Sequence, residues 1–381
     1  MAHEIQANDS LLLHSKPAWH GLGNIIDEDL TAVQAGRRAG MFWDVGSYDL
    51  AAYSMEAMEA MEKLNTAVRL GDIKEIQRLY AIIEAGKIGV ESHRANVRVD
   101  ETDGQDVKSL LGVVGADYKI AQNQELAEFT DALAQTGKVV IESVGSIRGG
   151  KRVWFLGRGE AFTIGGTDKV YPYVLVSNGH DGTSSIRVTP TTVRVVCSNT
   201  MHQVIPRLDE GQLGKAAIAI RHTGSLKDKL QAAREAMLQY GEHTARNRDM
   251  MLRMNRTEIT RDQAVKMFGT SYVNEGFKVT TADELNSNDK KVSGLAKKRL
   301  DRMNAARDLF LARYDEEKAK VGNGDTVWMA FNALTGHYQH DRASAANTDE
   351  ERVAKKIESN LFGLGVQRTH RALELALSLS A

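Results

Sequence analysis

Residues 170–201, VYPYVLVSNGHDGTSSIRVTPTTVRVVCSNTM, hold two runs of β-branched and aromatic side chains separated by Asn-Gly-His-Asp-Gly. Tyr171, Tyr173, Leu175 and Val176 before the break, and Ile186, Val188, Val193, Val195 and Val196 after it, suit a pleated, half-buried surface. Asn178-Gly179 and Asp181-Gly182 both permit positive φ. A short loop therefore joins the two strands and carries His180, Asp181, Ser184 and Ser185 to one sheet end. Asn178, His180, Asp181 and Asn199 form a candidate ligand loop, because polar side chains at strand ends either close turns through their own backbone or present donors and acceptors to a ligand. Arg187 and Arg194 leave the second run seven residues apart. That spacing puts them on opposite faces of a continuous strand, whereas a reset of the alternation at Pro190 brings both to one groove.

Strand chemistry continues on either side. VVIESVGSI (139–147) and RGGKRVWFLGRG (148–159) are punctuated by Gly149-Gly150 and Gly157-x-Gly159, and further strands are predicted near Ala95–Val99 and over LLGVVGADYKIAQ (110–122). NQELAEFTDALAQTGK reads as a helix starting at Asn123, and another helix starts at Asp29 or Thr31 and ends at Gly40. Gly157-x-Gly159 lacks the third glycine and the following helix of a dinucleotide site, so these glycines mean turns. The predicted class is α+β, a curved and mainly antiparallel central sheet in a core of residues 91–206. Residues 51–90 form a helical hairpin insertion whose Met55, Met58, Met61 and Leu64 recur at packing spacing. Residues 207–381 are a long helical region, with Leu226, Leu230, Ala233 and Met237 at helical spacing and a polar loop over residues 283–291. Residues 1–381 are expected to form one globular unit, with helices of both flanks packed on one sheet face.

The 381 residues, 42% of them hydrophobic, can bury a sizeable core. No apolar run approaches the roughly 20 residues of a membrane span, and no basic segment leads into an apolar signal core, which predicts neither membrane insertion nor export. The single cysteine, Cys197, excludes an internal disulfide and fits a reducing cytoplasm. In the valine-rich run VRVVCSN it reads as a packing thiol rather than a nucleophile with His202 or His180 as base. His180-Asp181 is explained by turn chemistry, so no metal site and no cofactor are predicted.

The net charge of −1 hides a segregation, since residues 1–137 carry about −10 and residues 138–256 about +8. The basic middle either offers a face to an anionic partner or lies against the acidic N-terminal part. Within it, Arg148, Lys151, Arg152, Arg158, Arg187 and Arg194 are interleaved with Trp154, Phe155, Tyr171 and Tyr173. Such a sheet suits single-stranded nucleic acid, cations neutralising phosphates and aromatic rings stacking bases. Alternation places Arg152 and Trp154 on one face and Phe155 on the other.

LGVVGADYKIAQNQELAEFTDAL, RGGKRVWFLGRG, SNGHDGTSSIRVTPTTVRVVCSNTM, TVWMAFNALTGHYQHDRA and WHGLG together resemble the phage/plasmid-like protein family, also called domain of unknown function 932. The resemblance implies a phage or mobile-element origin and an intracellular, host-cytoplasmic life, and it brings no catalytic residues. Residues 51–88 depart from the family pattern. By fold analogy with phage single-strand annealing proteins, the expected role is single-stranded DNA binding or annealing in recombination or replication, as a homo-oligomer. Two other readings stay open: an enzyme acting on a small anionic or phosphorylated substrate through His180, Asp181 and Arg187, and a structural or host-interaction protein.

Overall fold

The computed structural model describes residues 11–14, 24–102, 105–137, 139–194, 200–201, 218–220, 222, 240–321, 324–341, 355, 359 and 364–380. Its architecture is α+β. The larger sheet contains β1 (Leu11–His14), β2 (Asn24–Ile26), β6 (Val140–Ile147), β7 (Arg152–Arg158), β8 (Phe162–Ile164), β9 (Asp168–Gly179), β10 (Ile186–Arg194), β11 (Thr200–Met201) and β12 (Ile218–Ile220). Its strand order is β11-β10-β9-β7-β6-β1-β2, with β12 on β10 and β8 on β9, and every pairing except β1 with β2 is antiparallel.

The β9–β10 ladder runs without a shift from Arg187↔Ser177 to Arg194↔Val170, straight through Pro190↔Val174. Among the described residues the other side of β10 is paired at residues 186–188, by β12, and at 192–193, by β11. Pro190 falls between those two stretches. With the ladder unshifted, the expected reset of alternation does not occur. Arg187 and Arg194 lie on opposite faces, roughly 23 Å apart at about 3.3 Å per residue.

One face of this sheet, through Val144, Val153, Phe155, Val174, Val176, Ile186 and Val188, packs on α1 (Ala32–Arg38) and α4 (Asn123–Gly137). Thr31 caps α1 through a capping box with Gln34, and the Asp131 carboxylate of α4 accepts the amides of Ala32 and Val33, tying the two helices together. A second sheet, β3 (Asp44–Tyr53), β4 (Lys87–Thr102) and β5 (Gln105–Gly115), is antiparallel in the order β3-β4-β5. From the Tyr53↔Lys87 end of its first hairpin grows the inserted helical pair, α2 (Met55–Leu70) and α3 (Ile73–Ala85). The inner stripe of α2 is Ala57, Ala60 and Ala67, while Met55 and Met58 are exposed. The methionines expected to pack at the start of the stripe lie one helical face away from the alanines that do.

The C-terminal part holds α5 (Tyr240–Arg256), α6 (Arg261–Asn274), α7 (Ala282–Leu285), α8 (Lys290–Val321), α9 (Val327–Gly336), a π-turn over His337–Asp341 and α10 (Leu364–Leu379). These helices surround their own core of Met251, Met254, Phe268, Phe310, Tyr314, Trp328 and Phe331, which reaches the large sheet at Ile164 and Val170. Trp328 Nε1 fixes that junction by donating to the buried Asp168 Oδ2 at 2.8 Å. Val170 has the parity of Val174 and Val176 in the unshifted β9 register, so the C-terminal core meets the large sheet on the face taken by α1 and α4, farther along β9. The polar segment 283–291 is not all loop. Thr281 caps α7, Glu284 pairs with Lys278 and Arg299, and α8 starts at Lys290. Among the described residues no helix is long and apolar enough to cross a membrane. Asn199, Cys197, His202, Leu226, Leu230, Ala233, Met237 and the WHGLG segment lie outside the described residues.

Candidate functional site

The two sheets meet where the β9–β10 loop and the β6–β7 turn press against β4 and β5. The loop is held by an Asx-turn: Asp181 Oδ1 accepts the Thr183 amide at 2.9 Å and its hydroxyl at 2.8 Å, and the Arg152 guanidinium donates to the same hydroxyl at 3.0 Å. A Cβ on Gly112 of β5 would lie 2.6 Å from the Asp181 Cα, so glycine there permits backbone-to-backbone approach. In the β6–β7 turn, Arg148, Gly149 and Gly150 all take positive φ, and a Cβ on Gly150 would meet the Trp43 ring at 2.7 Å.

His180 points inward and is fully buried. Its Nε2 lies 2.9 Å from Asn123 Oδ1, while Asn123 Nδ2 donates to the Met41 carbonyl at 2.8 Å. That second bond fixes Oδ1 as acceptor, so Nε2 carries the proton and Nδ1 is left as a buried lone pair with no hydrogen-bond partner. Burial, with a smaller contribution from His222 and against the pull of Asp181, pushes the imidazole down to about 3. The Trp43 ring meets His180 edge-on at 5.5 Å, Asn96 Nδ2 donates to the His180 carbonyl at 2.8 Å, and the Arg98 guanidinium stacks on Trp43 at 4.4 Å while gripping Asp100 with two bonds. Asn96 Oδ1 and Asn178 Oδ1 are likewise buried acceptors without partners, and Trp43 Nε1 is a buried donor without one.

Beside it opens a cleft of about 500 Å³ lined by Ser92, Asp117, Tyr118, Ser184, Ser185 and His222, together with backbone at residues 115–116 and 182. Tyr118 and His222 stack with centroids 4.4 Å apart at 16°. The Tyr118 hydroxyl donates to the Gly179 carbonyl at 3.0 Å, and burial raises its pKa well above the ordinary phenol range. Lys119 and His222 lock their chains together, the Lys119 amide donating to the His222 carbonyl at 2.7 Å and His222 Nδ1 donating to the Lys119 carbonyl at 3.0 Å.

The residues expected to bind nucleic acid divide into two groups. Arg148, Lys151, Arg152 and Arg187 stand at this end of the sheet, with Arg187 exposed and the other three partly so. Lys151 and Arg187 form no ion pair among the described residues. Arg158 lies toward the far end, paired with Glu142 at 2.9 Å and stacked over Tyr171 at 4.8 Å; Arg194 ends β10 opposite Val170. Trp154 is fully buried, with Nε1 donating to Ser143 Oγ at 3.1 Å, so in this arrangement its ring is closed to a base. Phe155 and Tyr173 are buried too, and the Tyr173 hydroxyl donates to Glu142 at 2.7 Å. The sheet faces are thus occupied by packing, and the accessible polar chemistry is at the strand ends. Of the described ligand-loop residues, Asn178 and His180 face inward and Asp181 is partly exposed. Sequence reasoning missed Tyr118, His222, Asn123 and Trp43. A helix-starting asparagine and lone aromatic residues carry no local signal of a site formed by segments far apart in the chain. Among the described residues no three His, Cys, Asp or Glu side chains gather as a metal site.

Residues 110–360 match the model of a family described as Domain of unknown function (DUF932). No curated protein and no solved structure matches the chain.

Proposed function

The chain belongs to the DUF932 family, and from that premise we propose that it binds single-stranded nucleic acid at the end of its large sheet, as a phage- or plasmid-encoded protein of the host cytoplasm. The origin rests on the sequence resemblance, and the location on the lone cysteine and the lack of a long apolar run. The observation that carries the binding role is the convergence of Arg148, Lys151, Arg152 and Arg187 on one strand end next to an open cleft with a stacked Tyr118–His222 pair. Lys151, Arg187 and the exposed Lys119 engage phosphates, while the cleft takes the sugar and base edges through Ser92, Ser184, Ser185 and the rings. The buried Trp154 moves this role from a sheet-face platform to the sheet end. Fluorescence anisotropy of a labelled single-stranded oligonucleotide, with unlabelled duplex as competitor, tests it. Salt-sensitive binding that duplex competes poorly supports the proposal, and an unchanged signal at low ionic strength removes it.

A second reading is favoured by the lining itself, which contains the carboxylate of Asp117 and several hydroxyls but no cation. That chemistry suits a small neutral, hydroxyl-bearing ligand better than the anionic substrate of the enzyme alternative. Calorimetry with nucleosides and with the corresponding nucleotides separates the cases, since tighter binding of the phosphorylated form favours the nucleic-acid role.

A further inference from the structure

We propose that the free edge of β5 is an interface between two copies of this chain, which join their three-stranded sheets across a two-fold axis centred on Val107. Among the described residues β5 pairs only with β4, so one side of the strand leaves its N–H and C=O groups without a ladder partner. An exposed edge carrying apolar side chains is a template for strand addition unless proline, a bulge or a covering segment blunts it. Here Gln105, Asp106, Val107 and Lys108 are all exposed, followed by Leu110 at 60% and Val113 at 51% exposure; no proline interrupts residues 105–115, and the register shift that skips Leu111 lies outside residues 105–109. The outward face of the same sheet is apolar as well, with Tyr48, Leu110 and Val113 accessible, so joining two sheets extends a surface that a monomer leaves open.

The charge pattern selects a second copy as the occupant, and one register. An antiparallel pair centred on Val107 sets Asp106 of each copy opposite Lys108 of the other, Val107 opposite itself and Gln105 opposite Ser109. Shifting the centre to Asp106 or to Lys108 places a like-charged pair on the axis, so only the Val107 register satisfies both charges. Both groups are available for it. Asp106 has no ion pair among the described residues, and Lys108 is engaged only by its position over the Tyr48 ring at 5.1 Å. The two-fold contact is closed, which yields dimers rather than filaments. It uses none of the residues assigned to nucleic acid.

Sedimentation velocity of the full chain over a concentration series at low salt is the test, with the urea midpoint of each variant checking that it folds. The parent chain is expected to dimerise reversibly. Asp106→Lys and Lys108→Asp each put like charges across the axis twice and are expected to weaken the dimer by about tenfold or more. The double variant, Asp106→Lys with Lys108→Asp, restores opposite charges and returns the dimer to parental strength. If a charge variant fails to fold, Val107→Cys in a Cys197→Ser background gives an independent readout, because mild oxidation should link the two copies at the axis while Val113→Cys in the same background should not. A parent that stays monomeric at roughly 100 µM, single variants that dimerise like the parent, a folded double variant that fails to recover, or a Val107→Cys chain no more readily linked than Val113→Cys would each overturn the proposal.

Discussion

Replacing His180 by glutamine separates the electrostatic role of the buried imidazole from its packing. The folded protein holds His180 neutral, at about 3, because it is sealed from water, whereas in the unfolded chain it titrates at 6.5. The unfolded state therefore binds the extra proton between those two values. Stability contributed by the neutral ring is fully present above pH 6.5 and is lost progressively as the pH falls toward 3. At pH 5 the unfolded chain is favoured by about 1.5 pH units of protonation, or about 2 kcal/mol relative to neutral pH. Glutamine does not titrate, and its amide can still donate to Asn123 Oδ1, which accepts the Nε2 proton in the parent. Urea unfolding of parent and His180→Gln chains at pH 7.5 and pH 5 measures the difference directly. The parent should lose about 2 kcal/mol more than the variant on acidification, whatever the variant costs at neutral pH. Parallel losses in the two proteins would refute a sealed, neutral His180.

Trp154→Phe removes a buried donor to Ser143 and part of a packed ring, and should lower the urea-derived stability by about 1–3 kcal/mol without changing oligonucleotide affinity. A drop in affinity with unchanged stability would mean that the ring reaches a base after all. Tyr173→Phe deletes the hydroxyl bond to Glu142 and should cost about 1.5–3 kcal/mol at neutral pH, read from the same titration. Gly112→Ala forces its new methyl group against the Asp181 backbone and should cost about 1–3 kcal/mol while increasing hydrogen exchange at residues 180–183; exchange unchanged there would show that the two sheets have room to spare.

The strands of the large sheet were legible because β-branched runs and glycine turns are local signals; Asp181-Gly182 does lie in the β9–β10 loop with Gly182 at positive φ, whereas Asn178-Gly179 ends β9. The helical insertion was legible for the same reason, a change of period from 2 to 3.6, but not which face it buries. Alanines at 57, 60 and 67 and methionines at 55 and 58 fall on neighbouring faces of α2, and only packing decides between them. Pro190 misled because the β9–β10 ladder passes through it without a shift, a fact set by pairing with β9 rather than by neighbouring residues. Trp154 looked available because alternation assigns a face without saying whether that face is covered. The polar layer around His180 draws Trp43, Asn96, Asn123 and Asn178 from four separate segments, so no window of sequence contains it.

Single-strand binding at the sheet end is tested most directly by the salt dependence of oligonucleotide affinity in the parent and in a Lys151→Ala, Arg187→Ala double variant of unchanged urea stability. Each phosphate contact on a single strand contributes about 0.7 to the slope of log K against log salt. The double variant should bind more weakly at every salt concentration and show a slope shallower by about 1.4. Equal slopes and affinities in the two folded proteins, or no binding by the parent at low salt, would contradict the assignment.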